Sequence, residues 1–520
     1  MVLSTVLTDR LRMHRDARPS SGGMRWAGYP GWARRSLELV RALSPEGRDA
    51  LLYGCSALFA GVTAFAMRIP LYRQWGQMAV GPYAAAAALM AVVAGRITVT
   101  SRADRASGPT GPEAHAPSGS GPVRRDGSAP RRITSSRSWR AARVAAFLIA
   151  LFGATIVPLA MEVVWRSEGN AALHVQPEVV VVEQAGDRAA HGKDPYRVVD
   201  RNGHIVIHQH TEPIYELYYP YLPGMVVFGF STGSRVEARL TDARIQFLIF
   251  TALVGLFALS RLRPPTDARG RALQVLTVLP TAALPLATGG DDMPVVALML
   301  LGLVALKRRR PLLAGLALGA ASSLKFTAWP LALLALWAAS DARHRRAAVR
   351  YAVGVLVVMG PVVLPVALRN PSAFVDNVIR FPLGLAGVSS PAASALPGHI
   401  LVATFPGIHR IYVAAIVVVG GAALVWRLRR RPPQNAAQVA GLTGWVMLIA
   451  LLVAPATRVG YLLYPINLFV WAWMLGLAED PVPRPSSGAD QLSSGSSNNS
   501  SENVVVPADV VGETVAPTSQ

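Results

Sequence analysis

The chain has 520 residues, 52% of them hydrophobic and only 16% charged, and its mean hydropathy is positive at +0.35. That is too apolar and too little charged for an ordinary soluble enzyme. The formal net charge of +21 does not indicate nucleic acid, because the basic residues sit in short clusters at the ends of apolar runs, as the positive-inside rule requires of a membrane protein.

Residues 1–48 read as a basic cytoplasmic lead without an apolar run of its own, hence not a cleavable signal peptide. Two spans are expected within 49–96, at about 50–67 and 77–95. Residues 97–142 hold a Gly/Pro/Ser/Arg-rich stretch that reads as a disordered cytoplasmic linker. A membrane domain is expected over 143–478, with spans near 143–163, 244–260, 271–288, 292–306, 349–368, 410–427, 438–455 and 459–477. Residues 479–520 read as a disordered tail. Cys55 is the only cysteine, so no intramolecular disulfide and no multi-thiolate metal site is possible.

Basic clusters at Arg140 and Arg143, Arg261 and Arg263, Lys307–Arg310, Arg343–Arg346 and Arg427–Arg431 set the cytoplasmic ends. Between two of them, PLLAGLALGAASSLKFTAWPLALLALWAA is too short for two full helices but fits two half-length ones meeting near Lys325. Gly315 and Gly319 form a small-xxx-small face for close helix approach. Residues 217–232, with Pro220, Pro223 and Gly224, are read as re-entrant rather than spanning. Both termini are then cytoplasmic, and 164–216, Gly289–Asp292, 369–409 and 455–458 face outward. The unexplained polar residues converge on that side.

Glu178, Glu183, Asp187 and Asp194 lie in the long 164–216 loop. A partly buried carboxylate there can act as a general base, or the acids can simply be solvated. Asn202 and Gly203 signal a hairpin turn. His204, His208 and His210 alternate along its strand without forming a tetrahedral metal set. Lys325, within apolar sequence, needs a carboxylate or an anionic ligand unless it snorkels to an interface. Asp291 and Asp292 can cap the helix that follows them. Arg458, against the positive-inside preference, implies either a loop acid or an anionic ligand. An outward acid with two cations suits a lipid phosphate donor and a hydroxyl acceptor, with the carboxylate taking the proton and the cations holding the departing phosphate. A carrier for a lipid-linked or anionic substrate shares the broken helices and the lysine, but does not need the large acidic loop.

The order of GKDPYR (192–197), YYPYLPG (218–224), GGDDMPVVALMLLGLVALKRRR (289–310), AGLALGAASSLKFTAWP (314–330) and APATRVGYLLYPINL (454–468) resembles the polyprenol-phosphate-sugar-dependent membrane glycosyltransferases of the GT-C fold, in particular their actinobacterial alpha-mannosyltransferase-like branch. The resemblance covers about residues 143–478. It implies an all-α polytopic membrane protein with a GT-C-like bundle of about eleven to thirteen transmembrane or re-entrant helices and a long outward first catalytic loop. It also implies an inverting glycosyltransferase that moves a sugar, mannose by the branch, from a polyprenyl phosphate donor to an envelope lipid or glycan acceptor without metal or other cofactor. In that family the first outward loop carries the catalytic acid, usually Asp, about fourteen residues before the glycine of a GxDPY-like motif. Counting back from Gly192 gives Glu178, with Glu183 as the alternative, so Glu stands where the family has Asp. By the same matching Lys325 and Arg458 contact the donor phosphate. Asp194, Pro195, Tyr196, Tyr219, Asp291, Asp292 and Tyr461 are expected around the sugar and acceptor.

Overall fold

The computed structural model describes residues 42–106, 133–169, 173–197, 213–230, 239–263, 265–339, 345–388 and 392–478. The hairpin at Asn202 and Gly203, the three histidines His204, His208 and His210, most of the basic lead and of the 97–142 linker, and the 479–520 tail lie outside the described residues.

The described chain is helical. α1 is Pro45–Ala66 and α2 Pro70–Ala106. α3, Ile133–Leu151, runs through a π-helical turn, Phe152–Ile156, into α4, Val157–Glu168. α5 is Pro177–Ala190, α6 Ala243–Ser260, α7 Thr266–Thr277, α8 Pro280–Thr288 and α9 Asp292–Lys307. α10, Pro311–Leu324, and α11, Trp329–Ala339, flank Lys325. α12 is Arg345–Arg369, α13 Pro371–Val375, α14 Pro397–Thr404, α15 His409–Arg430, α16 Ala436–Val453 and α17 Leu463–Leu477. Among the described residues nine helical stretches are long and apolar enough to cross a membrane, and α10 and the Phe326–Ala339 stretch add two shorter apolar ones. Over the described residues the protein is an all-α, multi-pass membrane protein.

The breaks in this bundle are the parts that later carry the site. Lys325 is extended (φ −153°, ψ 144°) and separates α10 from a short 3-10 turn at Phe326–Ala328, so the two half-length helices do meet at the lysine. α10 lies close against α12: a β-carbon at Gly315 would run into the Tyr351 carbonyl, and one at Gly319 would come within 2.7 Å of the Val355 carbonyl. The small-residue face therefore fixes the position of the break. The stretch around 217–232 holds only short 3-10 turns, Ile214–Leu217 and Pro223–Phe228, and six residues cannot span a bilayer.

α1 and α2, which precede the region of family resemblance, are packed into the bundle. Trp75 donates its indole N–H to the Ala154 carbonyl in the π turn (2.8 Å), a carbonyl whose helical partner is displaced there. Tyr83 and Thr155 donate to the carbonyls of Val278 and Thr277 at the α7–α8 break (2.5 and 2.9 Å). Backbone groups freed by a break in an apolar bundle need such partners. Buried Asp49 accepts from Arg143 (2.7 Å), Arg271 (2.6 Å) and Gln274 (3.0 Å).

Two expectations change. The ends of the 97–142 stretch are helical, because α2 runs on to Ala106 and α3 begins at Ile133. The acidic stretch after α4 is not all loop: α5 is a fourteen-residue helix. Pro177 stands in its first turn, while Val179, Val182, Ala185 and Gly186, three or four residues apart, are buried against the bundle. Gly186 and Gly229 let α5 and the 223–228 turn touch through their backbones.

Candidate active site

Glu178 sits in the first turn of α5, where the helix dipole favours a carboxylate. Its Oε1 forms an ion pair with the Arg458 guanidinium, and its buried Oε2 has no hydrogen-bond partner. Arg458 is held by its neighbours: residues 392–394 lie alongside 457–459, with Thr457 N–H donating to Ala392 O (2.8 Å), Ser394 N–H to Thr457 O (2.9 Å) and Val459 N–H to the Ser394 hydroxyl (3.1 Å). The sequence left two partners open for Arg458, a loop acid or an anionic ligand; in this structure the acid has it.

Lys325 enters from the helix break. Its ammonium donates to Asp291 (2.9 Å) and lies 2.6 Å from Asp292, with the rings of Tyr221 and Tyr461 at 5.1 and 5.5 Å. It is buried rather than snorkelling. Asp291 makes no capping hydrogen bond at the start of α9, so its carboxylate is committed to the lysine. Burial, reinforced by Asp292 and Glu178 and opposed by Lys325, pushes the Asp291 carboxyl up to about 6. The 218–224 segment locks onto the same break: Leu222 N–H donates to Leu324 O (3.1 Å), and Gly224 rests against Ser323.

Glu178, Arg458, Lys325 and Tyr461 line one cavity of about 210 Å³. Its wall also includes Thr327 and Tyr221, and aromatic residues Tyr215, Tyr218 and Phe381, of which the last two stack with centroids 4.5 Å apart. These five had no individual assignment in the sequence; for Tyr215, Tyr218 and Tyr221 the aromatic density of YELYYPY was the available signal, and for Thr327 and Phe381 there was none.

The other expected residues stand elsewhere. Glu183 does not reach the cavity: five residues after Glu178, it is turned roughly 140° around the helix. It pairs with Arg166 (2.6 Å) and accepts from the Ala243 N–H (3.1 Å), while Arg166 also binds Asp242 (2.8 Å), itself paired with buried Arg244 (2.8 Å). Glu183 thus ties α5 to α4 and α6. Glu183→Gln is expected to lower stability by roughly 3 kcal/mol with near-wild-type turnover per folded molecule, as read by thermal unfolding in detergent alongside an activity assay. Asp194, Pro195, Tyr196 and Tyr219 also lie behind the cavity wall rather than on it. Asp194 accepts from the Tyr196 N–H (2.9 Å), and buried Tyr196 donates to the Tyr221 carbonyl (2.8 Å). Tyr219 packs between the rings of Tyr196 and Tyr221, and its N–H is held by Asn377 (2.7 Å). They fix Tyr221 from behind. Asp291 and Asp292 likewise grip Lys325 from outside the lining.

Residues 236–455 match glycosyltransferase family 87. That segment, less than half of the chain, is similar to a glycosyltransferase family. It contains Lys325, Asp291 and Asp292, whereas Glu178 and Arg458 fall outside it and join it only in space. No curated relative matches the chain. Among solved structures, the chain is similar to the crystal structure of ArnT from Cupriavidus metallidurans bound to undecaprenyl phosphate, at 18% identity and a TM-score of 0.38. That alignment covers 65% of this chain and 60% of the other, less than two thirds of the solved chain.

Proposed function

We propose that the protein transfers a sugar, mannose, from a polyprenyl phosphate to an envelope lipid or glycan at the outer face of the cytoplasmic membrane, with inversion. The observation that carries this reading is the meeting of Glu178, Arg458 and Lys325 on one aromatic-lined cavity in a membrane bundle. The acceptor hydroxyl gives its proton to Glu178 as its oxygen bonds to the anomeric carbon. The bond from that carbon to the phosphate oxygen breaks, and the polyprenyl phosphate leaves with the electron pair, held by Arg458 and Lys325. In the ligand-free site Glu178 and Arg458 neutralise each other. An arriving donor phosphate takes the place of the carboxylate on Arg458, so the base is released when the donor is in place. Mannose is supported by the likeness of the GKDPYR and PATR segments to the mannosyltransferase-like branch, and the outward orientation by the basic clusters.

The test is transfer by purified protein in lipid, with radiolabelled polyprenyl-phosphate mannose or arabinose and an envelope lipid extract. Labelled product supports the transferase reading. Binding of the lipid donor and its movement between leaflets without product favours a carrier.

The Asp291 carboxyl gives this site a pH signature. With Asp291 ionised, its negative charge lies against the one positive charge of Lys325. As pH falls through about 6 Asp291 takes up a proton, a negative charge beside the lysine is lost, and the donor phosphodiester, which stays a monoanion, binds more tightly. Equilibrium binding of donor without acceptor is therefore expected to strengthen several-fold between pH 7.5 and 5.5. Asp291→Asn flattens the dependence, and equal slopes in both proteins would refute the assignment.

A further inference from the structure

A directed chain of hydrogen bonds reaches from Lys325 to the cavity wall. Lys325 lies 2.6 Å from Asp292 Oδ1, Tyr464 donates its hydroxyl to the same oxygen (2.5 Å), and the Tyr464 oxygen is 2.5 Å from Thr327 Oγ1. The polarity follows from what each group can give. Asp292 Oδ1 faces the Lys325 ammonium, which can only donate, and accepts from the Tyr464 hydroxyl. Tyr464 has one hydrogen, and it is spent on Asp292. The Thr327–Tyr464 hydrogen bond must then be donated by Thr327. The threonine oxygen keeps lone pairs but no hydrogen for a ligand, and Thr327 lines the cavity.

We infer that Thr327 is a specificity-determining residue that accepts a hydrogen bond from one hydroxyl of the donor sugar, an assignment that rests on the transferase reading above. The cavity is thereby divided by polarity. Arg458 and Lys325 offer donors, which suit phosphate oxygens. Thr327 offers an acceptor, which repels phosphate oxygens and carbonyls and takes a hydroxyl. A phosphate placed there would meet lone pairs with lone pairs, so the chain orients the sugar end of the donor away from the cations.

The experiment compares wild type, Thr327→Val, Thr327→Ser and Tyr464→Phe in lipid, using polyprenyl-phosphate mannose and analogues with each ring hydroxyl replaced in turn by hydrogen or by fluorine. At one position, removal of the hydroxyl is expected to lower wild-type kcat/KM about tenfold, with fluorine as poor as hydrogen because it cannot donate. Thr327→Val should lose that penalty and Thr327→Ser keep it. Tyr464→Phe frees the threonine hydrogen, so the fluoro analogue should recover relative to the deoxy one. A Thr327→Val protein equally slowed with every analogue, or a Tyr464→Phe protein with the wild-type profile, would overturn the inference while leaving the transferase reading intact. Wild type that transfers no sugar would overturn both.

Discussion

Glu178→Gln is expected to lower kcat for sugar transfer by about 10²–10⁴-fold, the span of a positioned general base, while donor binding becomes tighter rather than weaker. The two effects come from one ion pair. The carboxylate proposed to receive the acceptor proton is the partner of Arg458, so neutralising it removes the proposed base and also the competitor of the donor phosphate. A residue with a purely structural role would lose stability and binding together. Single-turnover kinetics and equilibrium donor binding, measured on the same preparation, separate the cases. Full transfer by Glu178→Gln, or donor binding weakened in step with the rate, would show that another group takes the proton.

The second large effect belongs to Lys325. Lys325→Met leaves Asp291 and Asp292 facing each other in a buried site without a cation and is expected to cost about 3–5 kcal/mol of stability. Both carboxylates lie within 2.9 Å of the lysine, and neither has bulk water to fall back on. Adding Asp291→Asn and Asp292→Asn removes the unpaired charges and is expected to restore most of the thermal stability but not the transfer. The triple variant thereby distinguishes the lysine as a charge that holds α9 to the α10–α11 break from the lysine as a phosphate ligand. Recovery of activity in the triple variant would confine it to the first role.

These effects depend on residues that differ in how far the sequence exposed them. Lys325 stood out because a lysine in an apolar run is costly without a partner. Arg458 stood out against the orientation rule, and Glu178 was singled out among the loop acids only by the family resemblance, which implies an acid about fourteen residues before Gly192. Their partners were not readable, because pairing is set by where distant segments meet. Arg458 faces Glu178 only because residues 392–394 staple the 457–459 strand-like segment in place. Glu183 and Glu178 look equivalent along the chain, five residues apart in the same acidic stretch. A helix that the loop-like composition concealed turns one toward the cavity and the other toward Arg166. Tyr219 drew attention and its neighbour Tyr221 did not, although Tyr221 lines the cavity and Tyr219 supports it from behind.

By itself the sequence determined the membrane class, the positions of nine of the expected spans and the break at Lys325, because these follow from local quantities: the length of apolar runs, the cost of a charge inside them, and glycine spacing on one helix face. Only the tertiary structure decided which acid meets which cation, the burial of α1 and α2 in the bundle through Trp75 and Tyr83, and the direction of the chain from Lys325 through Tyr464 to Thr327. Those depend on contacts between segments far apart in the chain, where a few ångströms and the count of available hydrogens fix the chemistry, and neither is encoded in any local pattern.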